Sequence, residues 1–440
     1  ELHRSGVYVT HDEFKGLEPA RRGSATFHFS PEQFDNPRGQ THFSGATSGS
    51  TGTAKTVRVN FGGFREREYQ YGAILDALGP PRDRIRVGMW VPPTYSAVAF
   101  LMKFSRCGST PVRWFSQVPL TPWRRPRLVR LEAYGLTLLS RLFGVPTPLP
   151  RRVPVENCAP VLGWITSELS GGRVPCLVTY ASSAVRVALE ASRRSISLAG
   201  TCFLPFGESI TAARRRTIEG TGAACVPLYG TVEHSWIAGG CRAAVAPDDM
   251  HVFLDTHALI AVPRRLEDGQ QVNALAVTDL TRHGQKVALN VETGDCGVLE
   301  RRECGCPWAE AGLTLHLRDV WSYSRLTPEG LTFEGTEVFR ILEEVLPAEF
   351  GGRIGDYQLI AEPGATGVTR YVLAVDPALG EMDEEAVRRA FLRALGRPHP
   401  TTALTTRFLE EAGQLKVVRQ PPEELPSGKA LPVLWRPPKG

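Results

Sequence analysis

The sequence predicts an α/β protein. A large N-terminal domain with αβ-layered sheets and a β-rich subdomain precedes a small α+β C-terminal domain. Three observations carry this. Strand-like and helix-like stretches alternate between residues 66 and 233, the pattern of a layered α/β sheet. Residues 250–300 read as short β segments without a long helix between them. From about Arg318 the texture changes to short strands around two helices. At 440 residues the chain is long enough for two or three domains and a substantial core.

The elements follow in order. Residues 1–40 are polar, broken by Pro and Gly, and read as an irregular N-terminal cover. Glu66–Leu78 spaces Tyr69, Ala73, Leu75 and Leu78 as an amphipathic helix does, and Gly79-Pro80-Pro81 stops it. Arg86–Val91 reads as a buried strand ended by Pro92-Pro93, and Ser96–Arg106 as a helix leading to Gly108. Residues 113–160, rich in Pro and Arg, show no clear period. Val174–Tyr180 is a strand, Ser182–Ser192 a helix, and Gly200–Phe206 a strand ending on the turn Gly207-Glu208-Ser209. Ile210–Glu219 is a basic helix, Ala224–Leu228 a strand, and Tyr229-Gly230-Thr231-Val232-Glu233 its C-terminal loop. Ligand sites in α/β sheets gather at such strand ends, and two successive ends carry Glu208 and Glu233. The β segments are Met250–Leu254, Leu259–Val262, Asn273–Asp279 and Val287–Val291, followed by Glu292-Thr293-Gly294-Asp295. The last unit has strands at Leu331–Phe333, Tyr357–Ala361, Thr369–Val375 and Thr405–Phe408, and helices at Glu337–Leu346 and Asp383–Leu395. The Pro-rich end holds Ser427-Gly428-Lys429.

One stretch stands out for chemistry: Thr47-Ser48-Gly49-Ser50-Thr51-Gly52-Thr53-Ala54-Lys55. Its glycines let backbone N–H groups approach a ligand, its hydroxyls donate to anionic oxygens, and Lys55 adds a cation, a combination suited to polyphosphate. Strand-like runs at Thr41–Ser44 and Thr56–Asn60 flank it and place it in a hairpin. Gly52 is followed by Thr53 and not by Lys, so the usual strand-to-helix phosphate loop is absent. Read alone, the stretch is equally a Ser/Gly-rich linker.

Composition excludes some classes. A net charge of +5, with basic residues scattered and not interleaved with aromatics, gives no nucleic-acid signature. No apolar run reaches the roughly 20 residues of a bilayer span, and no signal peptide is legible. Nine cysteines, an odd number, fit free or metal-bound thiols in a reducing cytoplasm better than a disulfide framework.

Thr47–Lys55, Tyr229–Glu233, Thr293-Gly294-Asp295 and Ser427-Gly428-Lys429 occur in an order and spacing that resembles the adenylate-forming superfamily of acyl-CoA synthetases and adenylation domains, and within it the phenylacetate–coenzyme A ligase-like branch. The resemblance covers the chain from about residue 41 onward. It implies that Thr47, Ser48, Gly49, Ser50, Thr51, Gly52 and Lys55 grip the ATP phosphates. It implies that Tyr229, with Gly230 and Thr231, packs on adenine, that Glu233 holds Mg²⁺, and that Gly207-Glu208 flanks the base. Asp295 takes the ribose hydroxyls, Arg318 resembles the arginine that follows, and Asp319 resembles the hinge between a large domain, 1–318, and a small one, 319–440. Lys429 resembles the catalytic lysine, with Glu233 beside it in that role. Two departures are visible: Ala54 replaces the usual Pro before the loop lysine, and the hinge reads Leu317-Arg318-Asp319-Val320.

Cys241 and His251, with Cys304-Gly305-Cys306 downstream, form a Cys₃His set of the kind that suits tetrahedral structural Zn²⁺. The resembled branch carries these positions too. Four ordinary buried thiol and imidazole side chains are the alternative. Cys296 reads as a packed thiol. Tyr95, Phe206 and Trp236 hint at an aromatic wall for a carboxylate substrate, and His234 either borders that pocket or stands behind it.

The resemblance implies ATP-dependent activation of a small, aryl-type carboxylic acid and transfer to a thiol, with coenzyme A as the first expectation for acceptor. Transfer to a carrier-protein thiol or an amine stays open. So does a degenerate nucleotide-binding protein without turnover.

Overall fold

The computed structural model describes residues 1–38, 43–46, 56–59, 61–117, 135, 137–138, 141, 147–266, 271–323, 335–363, 369–395, 415–425 and 428–436. Its centre is a run of parallel strands in the spatial order Pro150–Arg152, Arg113–Ser116, Ile85–Trp90, Val174–Tyr180, Cys202–Phe206. Both faces of this sheet are covered at its centre, so Val174–Tyr180 and Cys202–Phe206 are apolar almost throughout. The two-residue period divides the faces. Val87, Met89, Cys176, Val178 and Leu204 pack beneath Phe61–Asp76 and Tyr95–Arg106, through Tyr71, Ile74, Leu75, Leu101 and Phe104. Leu177 and Phe203 pack on the other side against Ala159–Ser170 and Ala181–Arg193, through Val161, Ile165, Val185 and Ala188.

The sheet then changes character. Leu228–Thr231 joins Cys202–Phe206 in parallel through the pair Leu228↔Phe206. From there antiparallel strands follow: Ser235–Gly240, Met250–Val252, Leu315–Ser322, Val291–Arg301, Gln271–Asp279 and His257–Arg265. Ile237, Val252, Leu275, Val277 and Leu317 give this β-rich part its own core. A separate four-stranded sheet, ordered Leu415–Arg419, Thr369–Val375, Tyr357–Pro363, Val433–Trp435, packs on the helical run from Gly335 to Phe350 and on Glu384–Leu395. That helical run widens to a π-helical turn over Ile341–Val345. No helix among the described residues is long and apolar enough to cross a membrane.

The α/β fold class expected from sequence is the one observed. Several boundaries differ for physical reasons. The strand expected over 224–228 is split into Ala224–Cys225 and Leu228–Thr231, because Pro227 has no N–H for the ladder. Thr293-Gly294-Asp295 lies inside the strand Val291–Arg301 and does not follow the β region as a loop. Leu315–Ser322 continues past the expected hinge at Asp319. Asp319 takes a left-handed φ of 54°, and the Asp248 carboxylate accepts the N–H groups of Asp319 and Val320 at 2.9 and 2.7 Å, so the strand bulges there without ending. Residues 113–160, unreadable from sequence, supply two of the parallel strands. The N-terminal cover is more regular than expected. It has a short helix, His11–Lys15, begun by a capping box at Thr10, ended by left-handed Gly16, and anchored by Phe14 against Ala288 and Val291. The strands expected over 331–333 and 405–408 lie outside the described residues.

Candidate active site

Phe43–Ala46 pairs antiparallel with Thr56–Val59, so the Ser/Thr/Gly stretch connects two hairpin strands, as expected. Its residues Thr47, Ser48, Gly49, Ser50, Thr51, Gly52 and Lys55 lie outside the described residues.

Of the other motif residues, Gly207 and Glu208 follow the carboxyl end of the parallel strand Cys202–Phe206, and Tyr229, Gly230 and Thr231 lie on its neighbour Leu228–Thr231. Gly207 follows Cys202–Phe206 with φ 73°, and a Cβ there would come within 3.0 Å of Lys429 Nζ. The positive φ favours glycine here, and a side chain would also crowd the Lys429 ammonium. Lys429 reaches in from the small sheet's side. Its Nζ donates to the Gly207 carbonyl at 3.0 Å and lies 4.9 Å from the centre of the Tyr180 ring. Gly428, with φ 80°, backs onto Gln117, whose Nε2 donates to Ser183 at 2.7 Å.

Glu208 does not point into an open cleft. Helix Ala181–Arg193 lacks a side-chain cap of its own, and Glu208 supplies one, accepting from Ser182 N–H at 2.8 Å and Ser182 Oγ at 2.9 Å. Glu208 also accepts from Arg214 at 3.0 Å, and Arg214 donates to Glu343 of the π-helical turn at 2.7 Å. All three side chains are buried, and Thr211 joins Glu343 as well. This charge cluster crosses the seam between the two sheets, which Arg216–Glu344 and Arg186–Glu424 also bridge.

Tyr229 and Asp295, far apart in sequence, meet. The Tyr229 hydroxyl donates to Asp295 at 2.9 Å and lies 3.3 Å from Thr293 Oγ1, and burial together with the Asp295 charge pushes the phenol well up. Gly230 leaves no room for a side chain: a Cβ would sit 2.1 Å from the Ser235 carbonyl. Thr231 Oγ1 accepts the His234 N–H at 3.2 Å and closes the turn. Arg318 pairs with Asp319 at 2.5 Å and Glu300 at 3.4 Å.

Glu233 has a partner that sequence reasoning missed. Lys15 Nζ sits 3.0 Å from Glu233 Oε1. Burial raises the Glu233 carboxyl, the Lys15 ammonium outweighs it, and the net result is about 2. His234 turns away from the acid site into a buried network. Its carbonyl accepts from His257 Nε2 at 3.0 Å, and its Nδ1 lies 4.0 Å from Asp279, itself paired to Arg67 at 2.5 Å. Phe206 and Trp236 do meet, ring centres 5.5 Å apart, and Phe100 completes a triangle with them at 5.3 and 5.2 Å. Tyr95 opens the helix that carries Phe100, and its side chain lies outside the described residues. Lys15, Arg214 and Phe100 left no motif behind. Lys15 has a faint signal in the capped stretch Thr10–Gly16, which fixes a helix end in an otherwise irregular cover.

Cys241, His251, Cys304 and Cys306 converge, with all their ligand atoms within 4.8 Å of one another. Cys241 Sγ–Cys304 Sγ is 3.9 Å, and His251 Nε2 lies 3.5 and 3.3 Å from Cys304 and Cys306. Tetrahedral zinc with these donors holds them about 3.4–3.8 Å apart, so the residues fit the ion. The His251 Nδ1–H donates to the Leu313 carbonyl at 2.5 Å, which fixes the ring with Nε2 toward the thiols.

No protein-family profile matches the chain, and no curated protein matches it in sequence. Solved structures do. A 2-hydroxyisobutyryl-CoA ligase in a postadenylation state with R3-HIB-AMP aligns over 98% of this chain and 79% of its own, with TM-score 0.58 and 14% identity. McyG A-PCP, complexed with phenylalanyl-adenylate, aligns over 92% of this chain and 66% of its own, with TM-score 0.51 and 12% identity. At such identities likeness speaks to architecture, and in architecture the chain has the fold of the adenylate-forming ligases and adenylation domains.

Proposed function

We propose that the chain activates a carboxylic acid with ATP, releasing pyrophosphate, and passes the acyl group to a thiol, with a small aryl acid as substrate and coenzyme A as acceptor. One observation carries the reading. Lys429, from the final stretch, reaches the Gly207 carbonyl at a strand end whose neighbour, Leu228–Thr231, presents the Tyr229–Asp295 pair.

A carboxylate oxygen attacks the α-phosphorus and the bond to pyrophosphate breaks. Both reactants are anionic, so alignment and charge neutralisation dominate. Lys429 would neutralise the two approaching oxyanions. Asp295 binds the ribose hydroxyls and Tyr229 offers its face to adenine, with Gly207, Gly230, Thr231 and Arg318 shaping the walls. Thr47–Lys55 hold the outer phosphates. Glu233 is the carboxylate that would hold Mg²⁺, whose charge stabilises phosphate oxygens. Zn²⁺ on Cys241, His251, Cys304 and Cys306 would clip the strands between 240 and 306 and take no part in chemistry. The second half-reaction is attack of a thiolate on the acyl carbon with AMP leaving, after the small domain of residues 319–440 withdraws Lys429.

Carboxylate-dependent ATP–pyrophosphate exchange over a panel of acids tests this. Exchange with one acid, lost in Lys429→Ala and Glu233→Ala, supports adenylation. ATP binding without exchange for any acid refutes it. One observation favours that second outcome: the Lys15 ammonium occupies the carboxylate a metal would use. In that reading the chain binds nucleotide without turning it over.

A further inference from the structure

Lys103 stands on the helix Tyr95–Arg106, in the apolar run Ala99-Phe100-Leu101-Met102-Lys103-Phe104, and is only 5% exposed. A lysine this buried normally meets a carboxylate, because an ammonium stripped of water is otherwise uncompensated. Among the described residues Lys103 forms no ion pair. Its Nζ donates to Ser235 Oγ at 2.9 Å and lies 5.0 and 5.2 Å from the ring centres of Phe64 and Tyr71. Two more polar groups are buried at this spot, the Tyr71 hydroxyl and the Trp236 indole N–H, close to one another and to Ser235. Ser235 itself holds a left-handed φ of 62°. Two hydroxyls, an indole N–H and a cation thus gather at Ser235, and among the described residues no carboxylate pairs with the cation.

This spot is joined to Lys429 by a continuous series of rings. Lys429 lies 4.9 Å from Tyr180, Tyr180 5.2 Å from Phe206, Phe206 5.5 Å from Trp236, and Trp236 6.5 Å from Tyr71. We propose that the series is the acid pocket and that the acid it takes is two-headed. One carboxylate reacts at Lys429, a flat apolar body lies among Phe100, Phe206 and Trp236, and a second carboxylate is held by Lys103, Ser235, Tyr71 and Trp236. The proposal rests on the acid-activating reading above and names its substrate class. Phe100 and Trp236 stack at 5.2 Å, and the acid is admitted as that pair parts. A single-headed acid would push apolar atoms against an unpaired ammonium and bind poorly.

The test compares terephthalate with benzoate, and 1,4-phenylenediacetate with phenylacetate, by two readouts: calorimetric binding and pyrophosphate exchange. The native chain is expected to prefer the diacid of a pair by about 100-fold or more in kcat/KM, the discrimination of a site whose polar groups are left unpaired by the wrong ligand. Lys103→Met is expected to abolish or reverse that preference, and Tyr71→Phe to reduce it. Equal exchange with monoacids, unchanged in both variants, overturns the two-headed pocket and leaves adenylation standing. Diacid binding that Lys103→Met removes, without any exchange, upholds the pocket and overturns adenylation. Neither binding nor exchange with any of the four acids overturns the two-headed pocket, and adenylation then falls only if the whole acid panel also fails.

Discussion

Replacing Lys103 by Met is expected to stabilise the protein, by an amount set by pH. Burial, with Arg67 nearby, lowers the ammonium from its ordinary 10.5 to about 7. Each pKa unit is worth about 1.36 kcal/mol, so holding Lys103 charged in the fold costs up to about 5 kcal/mol. The sign follows from proton counting. The folded pKa is depressed, so between pH 7 and 10.5 the unfolded chain binds more protons and stability rises with pH. The penalty is therefore complete below pH 7 and gone above 10.5. Met fills nearly the same volume, so no cavity offsets the gain. Urea unfolding of both proteins between pH 6 and 10.5 reads the difference directly. The variant should lead by several kcal/mol at pH 6, and the lead should shrink to near zero at the alkaline end. A difference that is flat with pH, or a destabilised variant at pH 6, would refute the account of Lys103 as a charged group buried without a counter-ion.

Arg214→Met leaves Glu208 and Glu343 buried without a cation and should cost about 3–5 kcal/mol in urea unfolding, whereas Glu343→Gln should cost less and chiefly raise proteolytic cleavage near the seam. Lys15→Met frees Glu233, whose carboxyl Lys15 holds down to about 2. A depressed carboxylate stabilises above its ordinary pKa and loses that contribution as pH falls toward 2, so the variant should be less stable by about 1–3 kcal/mol at pH 7 and equal to the native chain near pH 2. Metal analysis should find one zinc per chain, lost together with thermal stability in Cys304→Ser. A metal-free native chain of unchanged stability would contradict the ligand reading.

The strands of the central sheet were readable because burial on both faces writes itself as continuous apolar runs such as Val174–Tyr180. Helices such as Ala181–Arg193 were readable because burial on one face leaves a period. The parallel strands Arg113–Ser116 and Pro150–Arg152 were not, because they are only four and three residues long, too short for a period to show, and the second is an Arg-rich edge strand. Of the site, the residues named were those carried by motifs and a few aromatics at strand ends, of which Phe206 and Trp236 meet. Tyr229 and Asp295 were named separately, and their contact is a product of the fold. Glu208 carries the right motif, yet its carboxylate serves a helix end and Arg214, a duty no local pattern announces. Lys15 and Lys103 escaped because one charge amid irregular or apolar sequence has no periodic signature; only tertiary placement shows that each faces something unusual.

The cluster at Arg214 has a consequence for how the two halves of the molecule separate. One guanidinium serves two carboxylates, so the docked seam carries one excess negative charge out of reach of water. On parting, Glu343 regains hydration, while Arg214 stays behind with Glu208 as a balanced pair. Within this buried cluster the charges left on the larger half would balance without the smaller one. Such a junction behaves as a ratchet with a light detent. At this point it would release without stranding a buried cation, while Arg216 and Arg186, which lie nearer the surface, would exchange Glu344 and Glu424 for water.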